Sequence, residues 1–228
     1  MSSSDSFMAA VANRRTYYAL SPTSPIPDSK IEQIVTDTIK HTPSAFNSQT
    51  TRIVLVVKEE HKKLWDMIMS VYEEMLPKEK YEHAKGRMEG FRKGYGTHGP
   101  VTETLVNSTD DSSRVDIVLQ VLFYEDLAKV AEFVGKFPNY ADKFGQWSEQ
   151  TNGMHQYIIW TALEAEGFGV NLQHYNPPIN PKLTSEYKLP GTWDLKAQMV
   201  FGKPESGPAN PNKEFLPIEG ERLKIVGA

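Results

Sequence analysis

The 228-residue chain carries 25 Lys and Arg against 29 Asp and Glu, a formal charge of -4, and so offers no global field for nucleic acid or an anionic membrane. It has no cysteine, which excludes thiolate catalysis, disulfides and sulfur-ligated metal, and its six histidines include no HExxH or HxxxH pair for a helix-borne metal site. No apolar run approaches the ~20 residues of a membrane helix.

The length suits one domain over residues 1–228. The opening MSSSDSFMAAVANRR lacks the apolar core of a secretion signal, and Asp5 is out of place in a transit peptide, so a cytosolic protein is expected, with the nucleus left open. Ser6 to Arg15 reads as a helix, ended by the three prolines of SPTSPIP. A second helix starts from a cap at Asp28 or Ser29, with Ile31, Ile34, Val35 and Ile39 on one face, and stops before Pro43. RIVLVVK, Arg52 to Lys58, is a β-branched run typical of a strand covered on both faces. Residues 59–93 turn charged and periodic, with a stripe of Leu64, Ile68, Val71 and Met75 broken by Pro77, and predict two helices. VLFYE, Val121 to Glu125, and LKAQMVFG, Leu195 to Gly202, are two further strands. Between them, the segment around Met154 to Leu163 is apolar almost all round, which marks a helix buried in a core or in a subunit interface. Long helical gaps between few strands give an α+β layered class, and the proline- and glycine-rich tail after Gly202 reads as an extended arm.

Three patterns bear on chemistry. GYGTHG, Gly94 to Gly99, matches a dinucleotide fingerprint in letters only, because it follows a charged segment and runs into Pro100 instead of opening a helix. In RRTYY, the guanidinium forks of Arg14 and Arg15 and the Thr16 hydroxyl suit a phosphate, although cations at a helix C-terminus are favourable without any ligand. In PSAFNSQ, the Ser44 hydroxyl and the Asn47 and Gln49 amides can read a heterocycle that has both donors and acceptors, yet these are also ordinary turn residues.

Taken in order, RRTYYAL, TPSAFNSQTTRIVLVV, GYGT, VLFYED, FPNYADKFGQWSEQTNGMHQYIIWTALEAEGFGVNLQHYNP and LKAQMVFGKPESGP span nearly the whole chain. In these stretches the chain resembles the nitroreductase family of flavin-dependent NAD(P)H oxidoreductases, most closely its fatty-acid-repression-mutant branch. The resemblance implies a central, mostly antiparallel sheet flanked by helices, in an intertwined homodimer with an extended C-terminal arm. It implies FMN at each of two interface sites, with NADH or NADPH as co-substrate. By the same resemblance Arg14 and Thr16, with Arg15 close by, hold the phosphate or ribityl chain, and Lys213 completes the phosphate site. Ser44, Asn47 and Gln49 come from the other subunit, and the backbone of Leu172, Gln173 and His174 lies near the isoalloxazine ring. The implied reaction is a two-stroke transfer from NAD(P)H to a small electron-poor acceptor such as a nitroaromatic or quinone, without catalytic side chains or metal. A flavin-binding regulatory protein linked to lipid or stress responses stays open on the sequence alone.

Three features depart from the family pattern. Tyr18 stands where many relatives have a third basic residue, and Lys203 is not expected at its position. The larger departure is the insertion at residues 98–120, read either as a surface loop or as a translated intron, a choice that transcript sequencing decides. Its polar start is tolerable as a loop, since doubling loop length costs only about 0.6 kcal/mol. VDIVLQ inside it could compete as a strand, and the NST at Asn107 carries no weight without a signal.

Overall fold

The computed structural model describes residues 2–57, 59–93 and 119–227. The insertion therefore lies outside the described residues except for its last two, Leu119 and Gln120, and so does GYGTHG. The order is α1 (Ser3–Asn13), β1 (Leu20–Ser21), α2 (Asp28–His41), β2 (Thr51–Val57), α3 (Glu59–Met75), α4 (Lys78–Lys93), β3 (Leu119–Asp126), α5 (Leu127–Lys136), α6 (Phe144–Ala165), β4 (Gly169–Gln173), α7 (Asn180–Glu186) and β5 (Trp193–Pro204). The class is α+β, as expected. Every pairing between these strands is antiparallel: β2 with β3, β3 with β5, and both β4 and β1 with β5.

The sheet separates two cores, and the period-2 alternation of its strands assigns each side chain to one of them. Val54, Val56, Leu122, Tyr124 and Val200 face Leu64, Trp65 and Ile68 of α3, Met88 and Phe91 of α4 and Leu183 of α7. Ile53, Leu55, Val121, Phe123, Ala197, Met199 and Phe201 face Ile31 and Val35 of α2 and Ile159 and Leu163 of α6. Covering on both faces explains why RIVLVVK reads as an unbroken apolar run. One bulge interrupts the alternation. Phe123 pairs with Ala197 but Tyr124 pairs with Leu195, so Lys196 is the extra residue and Leu195 turns to the opposite core. The extruded Lys196 ammonium reaches Glu149 at 2.5 Å and Asp194 at 2.8 Å.

Several expected boundaries shift for identifiable reasons. Helix α1 begins at Ser3, because Ser2 and Asp5 form a reciprocal capping box, and it ends at Asn13 instead of Arg15. Asp28 is the first residue of α2 and not its cap; Pro27 holds the cap position without a side-chain bond. On that helix Thr38 is buried where Ile39 was expected, and its hydroxyl is satisfied by the Ile34 carbonyl at 2.8 Å. Strand β3 starts at Leu119, so the final residues of the insertion belong to the sheet. The alternating GVNLQ of β4 and the amphipathic α5 and α7 were not anticipated. Helix α6 buries one face through Phe144, Ser148, Asn152, His155, Ile159 and Leu163 and leaves Met154, Tyr157 and Ile158 exposed. After Pro204 the tail is nearly all exposed, with a single bridge between Glu219 and Leu223.

Candidate functional site

The cations of RRTYY and of the tail meet at the C-terminal half of α6. Arg14 caps α1 with its N–H on the Ala10 carbonyl, then turns extended, and this directs the next residues across α6. The Arg14 guanidinium lies 4.5 Å from the centroid of the Trp160 ring. Arg15 donates its backbone N–H to Glu164 Oε2 at 2.8 Å, while Trp160 Nε1–H donates to Glu164 Oε1 at 2.5 Å. Trp160 and Glu164 stand one helical turn apart, which is what lets one carboxylate take both bonds. The tail closes the group. Ala209 N–H donates to the Thr16 carbonyl at 2.8 Å, Arg15 Nη1 to the Pro211 carbonyl at 3.2 Å, and Lys213 Nζ to the Ala12 carbonyl at 2.5 Å.

Burial pushes the Glu164 carboxyl above the ordinary carboxylate range, against its two hydrogen bonds and the nearby charges of Arg14 and Lys213. Glu164 thus answers N–H groups and cancels none of the cations by contact. Arg14, Arg15 and Lys213 form no ion pair with any described residue. Three cations beside one committed carboxylate make a local excess of positive charge suited to an anion with several oxygens.

This group is joined to the start of β4. Thr16 bridges to Val170, and Tyr17 N–H donates to the Val170 carbonyl at 3.0 Å. The approach is close enough to require glycine next door. A Cβ at Gly169 would stand 2.8 Å from Tyr17 Cβ and 2.7 Å from Leu20 Cδ2. Asn171, fully buried, donates from Nδ2 to the Tyr17 carbonyl at 2.8 Å and accepts from Gln173 Nε2 at 2.8 Å. Leu172, Gln173 and the exposed His174 follow towards and past the far end of the same strand, about 10 Å from Val170 at 3.3 Å per residue.

Ser44, Asn47 and Gln49 are elsewhere. They border α6 near Trp147, Thr151 and His155, whereas the cations border Trp160 and Glu164. Thirteen residues of helix separate Thr151 from Glu164, about 20 Å at 1.5 Å per residue. The described chain thus holds two half-sets: Arg14, Arg15, Thr16 and Lys213 at one end of β4 with Leu172, Gln173 and His174 towards the other, and the amide loop elsewhere.

The amide loop has an unusual backbone. Phe46, Asn47 and Gln49 have φ of 55°, 52° and 48°, a left-handed conformation costing of order 1–3 kcal/mol for a residue with a side chain. Its supports are visible. The Phe46 ring packs at 4.5 Å on Phe137 and at 5.5 to 5.9 Å on Tyr140, Phe144 and Trp147. Ser44 Oγ accepts from Gln49 N–H at 3.0 Å. Arg52 ties the loop end to the sheet, donating to the Gln49 carbonyl at 2.7 Å and pairing with Asp126 at 3.0 Å. Beneath it Glu125 is buried, accepting from Thr51 Oγ1 at 2.7 Å and Asn152 Nδ2 at 2.9 Å, with its second oxygen unpartnered.

Trp160, Glu164, Gly169 and Arg52 were not singled out from the sequence. The only advance signal was the helical spacing of Trp160 and Glu164. A cavity of about 330 Å³, lined by Tyr18, Arg87, Gly90, Phe91 and Gln173, also went unforeseen beside the end of β4.

Comparison with known proteins places this arrangement. Residues 11–203 match the family model described as Nitroreductase family. The Saccharomyces cerevisiae protein HBN1 is 34% identical over 210 residues, covering 91% of this chain and 93% of its own, and the yeast nitroreductase FRM2 is 32% identical over 211 residues, with the same coverage. The structure of nitroreductase CinD from Lactococcus lactis with nicotinic acid superposes with a TM-score of 0.77 at 31% identity, over 96% of this chain and 99% of that one. The same protein has been solved with chloramphenicol and with 4-nitrophenol. An enzyme of oxidoreductase type follows from this kinship, and the chain belongs to the nitroreductase family.

Proposed function

We propose that the chain binds FMN and passes reducing equivalents from NADH or NADPH to an electron-poor aromatic acceptor, a nitroaromatic or a quinone, in two successive half-reactions at one pocket. The observation that carries this reading is the convergence of Arg14, Arg15 and Lys213, none of them ion-paired among the described residues, beside the start of the strand whose far end bears Gln173. Such a donor set fits a phosphate dianion tethered to a flat ring. FMN, when bound, supplies the two-electron chemistry, so the protein has to bind and orient it and needs no nucleophile or metal. Arg14 and Arg15 offer forked donors and Lys213 a point charge for the phosphate. Gln173, fixed by Asn171, offers an amide at the strand end. Ser44, Asn47 and Gln49, too far along α6 to join that group within one chain, serve the site of a second copy.

Size-sorted protein tests this directly. A dimer peak with flavin absorbance that bleaches with NADH or NADPH and recovers on adding a nitroaromatic is the expected result. Colourless dimer that cannot be loaded with FMN would overturn the reading.

A further inference from the structure

We propose that the cavity between α4 and the end of β4 is the acceptor subsite, and that Arg87 makes it select aromatic acceptors carrying a negative group. This rests on the function proposed above and adds to it the class of acceptor.

The wall of the cavity is set by helical spacing. Arg87, Gly90 and Phe91 fall at i, i+3 and i+4 on α4, so they share one face, and that face is turned towards Gln173 and Tyr18. Phe91 is a fixed surface for an aromatic guest. It is buried, with its ring 5.4 Å from that of Trp65 and 6.0 Å from that of Tyr18. Trp65 is itself wedged edge-on against Tyr175 at 5.4 Å. Gly90 leaves the cavity open, because a Cβ there would meet nothing within 4 Å.

Arg87 is the only charged residue among the cavity's described lining residues, and its charge is not spent. Arg92, five residues further on, is held bidentately by Asp66 at 2.7 and 3.1 Å, and Lys85 lies 5.8 Å from the Tyr81 ring. Arg87 makes no ion pair or hydrogen bond with any described residue. Its own helix offers no carboxylate at three or four residues' distance, since His83, Ala84, Gly90 and Phe91 occupy those places. Its charge is felt by the buried Tyr175 phenol, whose pKa burial pushes up to about 12 while Arg87 opposes the rise. An unpaired guanidinium fork at the rim of an aromatic slot is a receptor for a planar ring with a carboxylate or phenolate.

For a nitroarene the step balances as two electrons and two protons taken up, one N–O bond broken, and a nitroso group and water formed. The hydride of NADH provides both electrons and one proton, and solvent the other.

The test uses 4-nitrobenzoate and its neutral analogue 4-nitrobenzyl alcohol with the intact protein and two variants, Arg87→Met and Gly90→Leu. Loss of the charge should lower kcat/KM for 4-nitrobenzoate about five- to tenfold, the lower end of a charged hydrogen bond at a partly exposed group, and leave the alcohol within twofold. Gly90→Leu should lower both, by filling the slot. Calorimetric titration of 4-nitrobenzoate should show the same loss of affinity in Arg87→Met without any turnover. Equal effects of Arg87→Met on the two acceptors, or none on either, would overturn the assignment of Arg87. Absence of NADH-dependent flavin bleaching would instead remove the proposed function, and the calorimetric comparison would still decide whether Arg87 binds the anion.

Discussion

Arg14 has two jobs that pull in different directions. Its guanidinium stacks on Trp160, worth about 0.5–1 kcal/mol at an exposed site, and in the proposed function it also grips a phosphate. Arg14→Ala is expected to weaken FMN binding by about 1.5–3 kcal/mol, read by fluorescence titration, with a smaller loss in thermal stability. A stability loss with unchanged flavin affinity would return the residue to helix-end charge placement. Arg14 and Thr16 stood out in the sequence as a cation and a hydroxyl at a helix end, although that pattern alone is met equally by charge placement without a ligand. Glu164 did not, since a glutamate on a long helix looks like every other solvated one.

Glu125 was equally invisible, for it ends an apolar strand and gives no hint of being buried. Burial pushes its carboxyl above the usual value of 4.5, against hydrogen bonds from Asn152 and Thr51. A folded pKa above the unfolded one means the folded state holds the proton more tightly. That stability is complete below the unfolded value and is lost as pH rises through the folded pKa. Glu125→Gln keeps the accepting oxygen and removes the charge. Its melting temperature should therefore gain on the wild type as pH is raised from about 5 to about 8, and a constant difference across that range would refute the assignment.

At the scale of elements, β2, β3 and β5 were readable because strands covered on both faces write themselves as apolar runs. Strand β4 escaped because its alternate positions are Asn171 and Gln173, buried or half-buried amides that pass for loop composition. Its other device is Gly169, which lets residues Tyr17 to Leu20 lie against the strand. Gly169→Ala forces a Cβ into 2.7 to 2.8 Å contacts and should destabilise by about 1–3 kcal/mol, lowering the melting temperature by roughly 2 to 10 °C. Gly90→Ala, in an open helical position, should instead stabilise by roughly 1 kcal/mol. The pair separates close approach from mere glycine content. The amide loop was legible in its residue types and not in its backbone, because the left-handed turn at Phe46 is held by four rings, two from the turn between α5 and α6 and two from α6.

At the scale of the molecule, the all-round apolar character of α6 predicted a helix buried in a core or an interface, and the fold places one of its faces in the core. One face is in the core; Met154, Tyr157 and Ile158 remain outside, as do Phe215, Leu216 and Ile225 of the tail. In the proposed function a second copy covers these apolar side chains. Ile158→Asp should shift the sized protein from dimer to monomer and cost it its flavin, measured by light scattering and visible absorbance on one column run. A monomer that keeps full flavin occupancy would separate the cofactor site from the interface.

Strand β5 pairs with β3, β4 and β1, yet it is the last strand in the chain. During synthesis β2 and β3 can join each other, but β4 and the segment after α1 must wait for Trp193–Pro204 to appear. Only the β2–β3 pair of the described sheet can form early, so folding is dominated by long-range closure and should be slow for its size. A premature stop before β5 would leave β3 and β4 with bare edges, and its product should appear in cells as aggregate, not as a smaller folded protein.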